Sequence, residues 1–129
     1  MEKSKVFLKN RLGLGLVKWI AGNKEQAKKN KEAGIQDLSL VKSLRGLESS
    51  SGISYRILQG ISKGERSPEY TTLEAIAEAF GTKLSVFLAY CEALPDNDVQ
   101  QAMEANKKAK SKEANKRAKS KVVKGRKKP

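Results

Sequence analysis

Between residues 40 and 88 the large apolar side chains return every three or four positions: Leu40, Leu44 and Leu47, then Ile57, Leu58 and Ile61, then Leu73, Ile76, Ala77 and Phe80, then Leu84, Phe87 and Leu88. That spacing lines one face of successive helices, and no segment alternates with the period of two that a half-buried strand needs. The chain is therefore expected to be all-α. Ser54 can accept a first-turn amide hydrogen bond while Ile53 packs on Leu58 as a staple, so a helix starts there and closes at Gly64 ahead of Pro68. Thr71-Thr72-Leu73-Glu74 reads as a capping box, Gly81 closes that helix, and a further helix covers about Leu84 to Ala93 before Pro95.

Upstream, the period makes about Asp37 to Ser50 helical, and Ser51-Gly52 turns the chain directly into the Ser54 helix. Two helices joined by so short a Gly-bearing turn form a helix-turn-helix. Charge supplies the rest of the plan. The 129 residues hold 27 Lys and Arg against 14 Asp and Glu, a formal net charge of +13. Residues 1–33 carry 9 basic and 3 acidic side chains, 34–103 carry 6 and 9, and 104–129 carry 12 and 2. The ordered domain is placed at 34–95, after a basic N-terminal extension (1–33) in which Val6 to Ala21 is a docked helix and Gly22 to Ala33 a loop or exposed helix. Residues 96–129 form a Lys/Ala-rich tail containing a nine-residue repeat, Glu104 to Lys112 and Glu113 to Lys121. No large apolar residue stands between Glu104 and Lys121 to offset the entropy of ordering, so the tail is expected to be disordered when free.

Several functions are disfavoured at once. With no His the chain lacks the side chain that titrates near neutrality and the commonest ligand of catalytic zinc. No catalytic cluster or phosphate-cradling Gly loop is visible, so the chain is read as not an enzyme, with no cofactor and no metal. The single Cys91 cannot form an internal disulfide; it and Trp19 are read as core residues. Leu12 to Val17 after a basic start imitates a secretory signal, but Lys18 interrupts it, and no apolar run approaches the roughly 18 residues of a spanning helix. A cytoplasmic protein without a membrane partner is expected.

Leu47-Glu48-Ser49-Ser50-Ser51-Gly52-Ile53-Ser54, then Ile57-Leu58 and Ile61, Lys63 to Pro68, and Thr72 to Gly81 with Leu84 follow one another without a gap. Over residues 39–90 the chain resembles the Cro and lambda-repressor (XRE) family of helix-turn-helix DNA-binding regulators. The resemblance implies a lambda-repressor-like bundle of about five helices whose helix 54–63 enters the major groove of double-stranded DNA. It places Tyr55, Arg56, Gln59 and Gly60 among base readers, and Lys42, Arg45, Ser54, Lys63 and Arg66 against the backbone. The residues themselves agree: Ile57, Leu58 and Ile61 make the buried stripe, leaving Tyr55, Arg56, Gln59 and Lys63 on outer faces, and Arg and Gln suit bidentate guanine and adenine contacts.

Three positions depart from the family. Glu48 stands where relatives usually have Ala, and its carboxylate is expected to reach solvent or a basic partner rather than be buried. Leu44 replaces a polar phosphate contact, which passes to Lys42 or Arg45, and Gly60 replaces a polar reader, which either removes one base contact or lets the helix approach the DNA more closely. In the tail, which resembles the Lys-Ala-rich tails of linker histones, Lys107, Lys108, Lys116 and Arg117 are read as non-specific contacts. The function expected is a sequence-specific, nucleoid-associated transcriptional regulator, a repressor by occupancy, dimerising through helix 84–94. The alternatives are an antitoxin that folds against a toxin partner while regulating its own gene, and a nucleoid or RNA-binding protein governed by the basic tail.

Overall fold

Ser4 opens the first helix, its Oγ accepting from the Phe7 amide at 3.1 Å. The computed structural model describes residues 3–35 and 40–109, and within them the chain is all-helical with no strand. Helix α1 (Lys5–Glu32) is followed by α2 (Leu44–Ser51), α3 (Tyr55–Ser62), α4 (Tyr70–Ala79), α5 (Leu84–Glu92) and α6 (residues 96–109). None is long and apolar enough to cross a membrane.

The part of α1 up to Ile20 is bound into the core, through Phe7, Leu16 and Ile20. Gly13 and Gly15, which lower helix propensity, are what lets the other helices approach. A Cβ at Gly13 would stand 2.5 Å from the Ile61 carbonyl oxygen of α3, and one at Gly15 would run into Cys91 Sγ of α5. Beyond Ile20 the helix continues to Glu32 through the stretch read as loop or exposed helix. Lys, Glu, Gln and Ala propagate a helix that docking has already nucleated, and Glu25 precedes Lys29 at the favourable i,i+4 spacing.

Two boundaries differ from the sequence reading. α2 begins at Leu44, not near Asp37: residues 40–43 are outside any helix, and residues 36–39 lie outside the described residues. Val41 is buried there, its carbonyl accepting from Asn23 Nδ2 of α1 at 3.0 Å, and Ser43 Oγ then caps α2 at the Gly46 amide. α4 begins one residue before Thr71, with Glu69 at the cap position and no side-chain cap bond. The capping box does not form because Glu74 accepts instead from the Tyr70 hydroxyl at 2.6 Å. The closures at Gly64 and Gly81 stand where expected, both with positive φ.

Leu16, Leu47, Leu58, Ile61, Ile76 and Phe87 fill the centre, each at most 1% exposed. Over them Trp19 stacks on Phe80 at 5.5 Å and meets Phe87 and Tyr90 edge-on, so one aromatic cluster ties α1, α4 and α5 together. Cys91 is buried beside it, and desolvation pushes its thiol up to about 11, which keeps it neutral and unreactive near pH 7.

The largest correction concerns the tail. Residues 96–109, expected to be disordered, form α6; residues 110–129, with Lys116 and Arg117, lie outside the described residues. Val99 is fully buried, and Asp96 and Asp98 in the first turn favour the helix dipole while pairing with Lys3 at 3.3 Å and Lys18 at 3.4 Å on α1. Near its far end Asn106 Nδ2 donates to Asn10 Oδ1 at 2.8 Å, and Asn10, itself buried, donates to the Val6 carbonyl. One buried valine and a polar clasp supply what the repeat lacks.

Candidate nucleic-acid interface

The turn between α2 and α3 is three residues long. Gly52 takes φ 77°, a left-handed conformation that costs glycine little, and its amide donates to the Glu48 carbonyl at 2.9 Å. Ser51 Oγ donates to the Leu47 carbonyl and accepts from the Ile53 amide, which fixes the direction in which the chain leaves. Ser54 then caps α3, accepting from the Ile57 amide at 3.3 Å.

On α3, Leu58, Gly60 and Ile61 are buried and Ile57 packs against the core. Arg56, Gln59 and Lys63 follow one another at three- and four-residue spacing on the opposite side, with Arg56 and Lys63 exposed and Gln59 half-buried. Among the sequence candidates Lys42, Arg45, Ser54 and Arg66 are also exposed, while Tyr55 is half-buried. Gly60 does not join this surface. It is buried, and a Cβ added to it would come within 2.9 Å of Arg66 Cδ, so the bare backbone is the bed on which the Arg66 stem lies. Of the two roles open to Gly60, loss of one base contact fits this packing: the glycine seats an arginine.

Glu48 reaches a basic partner, as expected, and also makes a bond that sequence reasoning did not foresee. Its Oε2 accepts from the Tyr55 amide at 2.6 Å, adding a charged acceptor to the α3 N-terminus, and Oε1 lies 3.7 Å from Arg45 Nη1. The Arg45 guanidinium in turn sits over the Tyr55 ring, 3.8 Å from its centroid. Thus Arg45, Glu48 and Tyr55 form one polar and cation-π assembly that fixes the first turn of α3 relative to α2. The cost of Glu48 in place of a small residue is avoided because its side chain, 38% exposed, is neither buried nor unpaired. A carboxylate seven residues before a helix N-terminus, across a glycine turn, is the signal that could have found it.

Glu48→Ala is expected to lower stability by about 1 kcal/mol, the usual worth of a cap, with Glu48→Gln recovering part of it because an amide oxygen still accepts. Urea denaturation of the two variants measures this. Equal losses in both would mean that the negative charge, not the hydrogen bond, carries the effect.

Beside the C-terminal end of α3 an open groove of about 650 Å³ runs between α1 and α6. Among the described residues no group of three or more His, Cys, Asp or Glu side chains is placed to hold a metal ion. No family model, curated protein or solved structure matches the chain.

Proposed function

We propose that the chain is a sequence-specific DNA-binding transcriptional regulator of the helix-turn-helix type, with α3 reading the major groove and repression following from occupancy of the site. The observation that carries this reading is the division of α3. Leu58, Gly60 and Ile61 are held in the core while Arg56, Gln59 and Lys63 line the outer side of a helix only eight residues long, capped twice at its start. A helix presented in that way fits a groove about 12 Å wide, and its outward Arg and Gln have the donor patterns that discriminate guanine and adenine. Arg45, Lys42 and Arg66 flank it as backbone contacts, and the basic ends add attraction that does not depend on sequence.

Pairing of two copies through α5 belongs to the same proposal: Val86 and Tyr90 are 49% and 36% exposed on that helix. Two half-sites about one helical turn apart in the selected DNA would accompany it.

Selection of bound duplexes from a random pool tests the reading directly, and a recovered motif is the expected result. Recovery of unrelated sequences at equal affinity would favour the nucleoid alternative. On the selected site, Arg56→Ala is expected to cost about 1–3 kcal/mol and to relax one base position. An equal loss on every sequence would mean that Arg56 touches only phosphate.

A further inference from the structure

Three lysines from three separate helices or helix ends line the groove of about 650 Å³: Lys9 of α1, Lys63 at the C-terminal cap of α3, and Lys107 of α6. Lys107 is brought there by its neighbour Asn106, whose side chain is bonded to the buried Asn10. Glu65 and Glu104 also line the groove, yet none of the three lysines lies within ion-pair distance of a carboxylate among the described residues. Against the two carboxylates the three lysines leave the lining with a net positive charge, which an anion in the opening would offset.

The position of Lys63 identifies the anion. From Arg56 to Lys63 is seven residues, about 10 Å along a helix axis, close to the roughly 12 Å width of the major groove. A helix whose first turn reaches base edges therefore brings its C-terminal end out at a wall of the groove, where a phosphate strand runs. We infer that Lys9, Lys63 and Lys107 form a binding site for the phosphate backbone of duplex DNA at the edge of the read sequence, completed by the docking of α6; the inference rests on α3 being the reading helix. The ten basic residues of 110–129 follow directly from α6, so the chain's most basic segment begins at this site.

The test compares the full chain with the variant Lys9→Gln, Lys63→Gln, Lys107→Gln on the selected duplex between 50 and 200 mM salt. Three lost phosphate contacts should lower the slope of log affinity against log salt by about 2.7, so that the unaltered chain loses about 40-fold more affinity than the variant over that range. The preferred sequence should not change. Glu65→Gln with Glu104→Gln should instead tighten binding. Lys24→Gln, Lys28→Gln, Lys31→Gln removes the same charge from the distal part of α1 and should move the slope less; an equal change there would reduce the site to general attraction and overturn it. A groove variant with an unchanged slope also overturns it while leaving the reading of α3 intact. An unaltered chain that binds no duplex overturns both. Helix content measured on every variant separates loss of contact from loss of fold.

Discussion

Replacing Phe87 with alanine is expected to remove about 3–5 kcal/mol of stability, the range for deleting a buried aromatic side chain. Phe87 is 1% exposed and is packed 5.7 Å, centroid to centroid, from both Trp19 and Phe80. Its removal takes away the transfer free energy of the ring and leaves a cavity bounded by helices α1, α4 and α5. A domain of this size is stable by about 5–15 kcal/mol, so a loss of that order takes a large part of the whole. Urea denaturation followed by the fluorescence of Trp19, the single tryptophan, measures it at the site of the change. Tyr70→Ala, at a side chain 68% exposed, should by comparison stay within about 0.5 kcal/mol. A Phe87→Ala loss near 1 kcal/mol would show that the cluster recloses without the ring.

What the sequence made legible and what it hid divide by distance along the chain. The Ser54 cap, the closures at Gly64 and Gly81 and the limits of α5 are decided by groups within about four residues, and each stands where local chemistry puts it. The late start of α2 depends on Asn23 reaching Val41 from another helix, and the early start of α4 on Tyr70 drawing Glu74 away from a cap. Glu48 reaches a basic partner as its residue type required, but its bond to the Tyr55 amide, seven residues on, and the seating of Arg66 on Gly60, six residues on, lie beyond local chemistry. α6 was hidden most deeply, since Glu104 to Ala109 contains no large apolar residue and is held by Asn106 on Asn10, 96 residues away. The start signal was nevertheless present in Pro95, Asp96 and Asp98 ahead of Val99, an acidic first turn before a single apolar anchor. The outward register of Arg56, Gln59 and Lys63 needed only the buried stripe of Ile57, Leu58 and Ile61 to be read correctly.

Where the basic tail is cut matters, because residues 104–109 belong to α6. Truncation after residue 109 removes ten basic residues and one acidic one and leaves every described helix whole. If about six to ten of those side chains lie on phosphates, the full chain should lose about 10³–10⁵-fold more affinity than the truncated one between 50 and 200 mM salt. The site recovered from a random pool should be the same for both, because α3 is untouched. A tail that only aids solubility predicts parallel salt lines for the two chains, and that result would reject its role in binding. Cutting at residue 103 is a different experiment. It deletes Asn106 and uncovers Asn10, only 6% exposed in the full chain, so the loss is that of a hydrogen bond whose place water can take, about 0.5–1.5 kcal/mol. It also removes Lys107 from the groove beside α3. The shorter chain should therefore melt lower than the 1–109 chain and bind with a slope smaller by about two further contacts, since Lys108 goes with Lys107. Equal melting of the two would mean that Val99 and the Asp98–Lys18 pair hold α6 without the asparagine clasp.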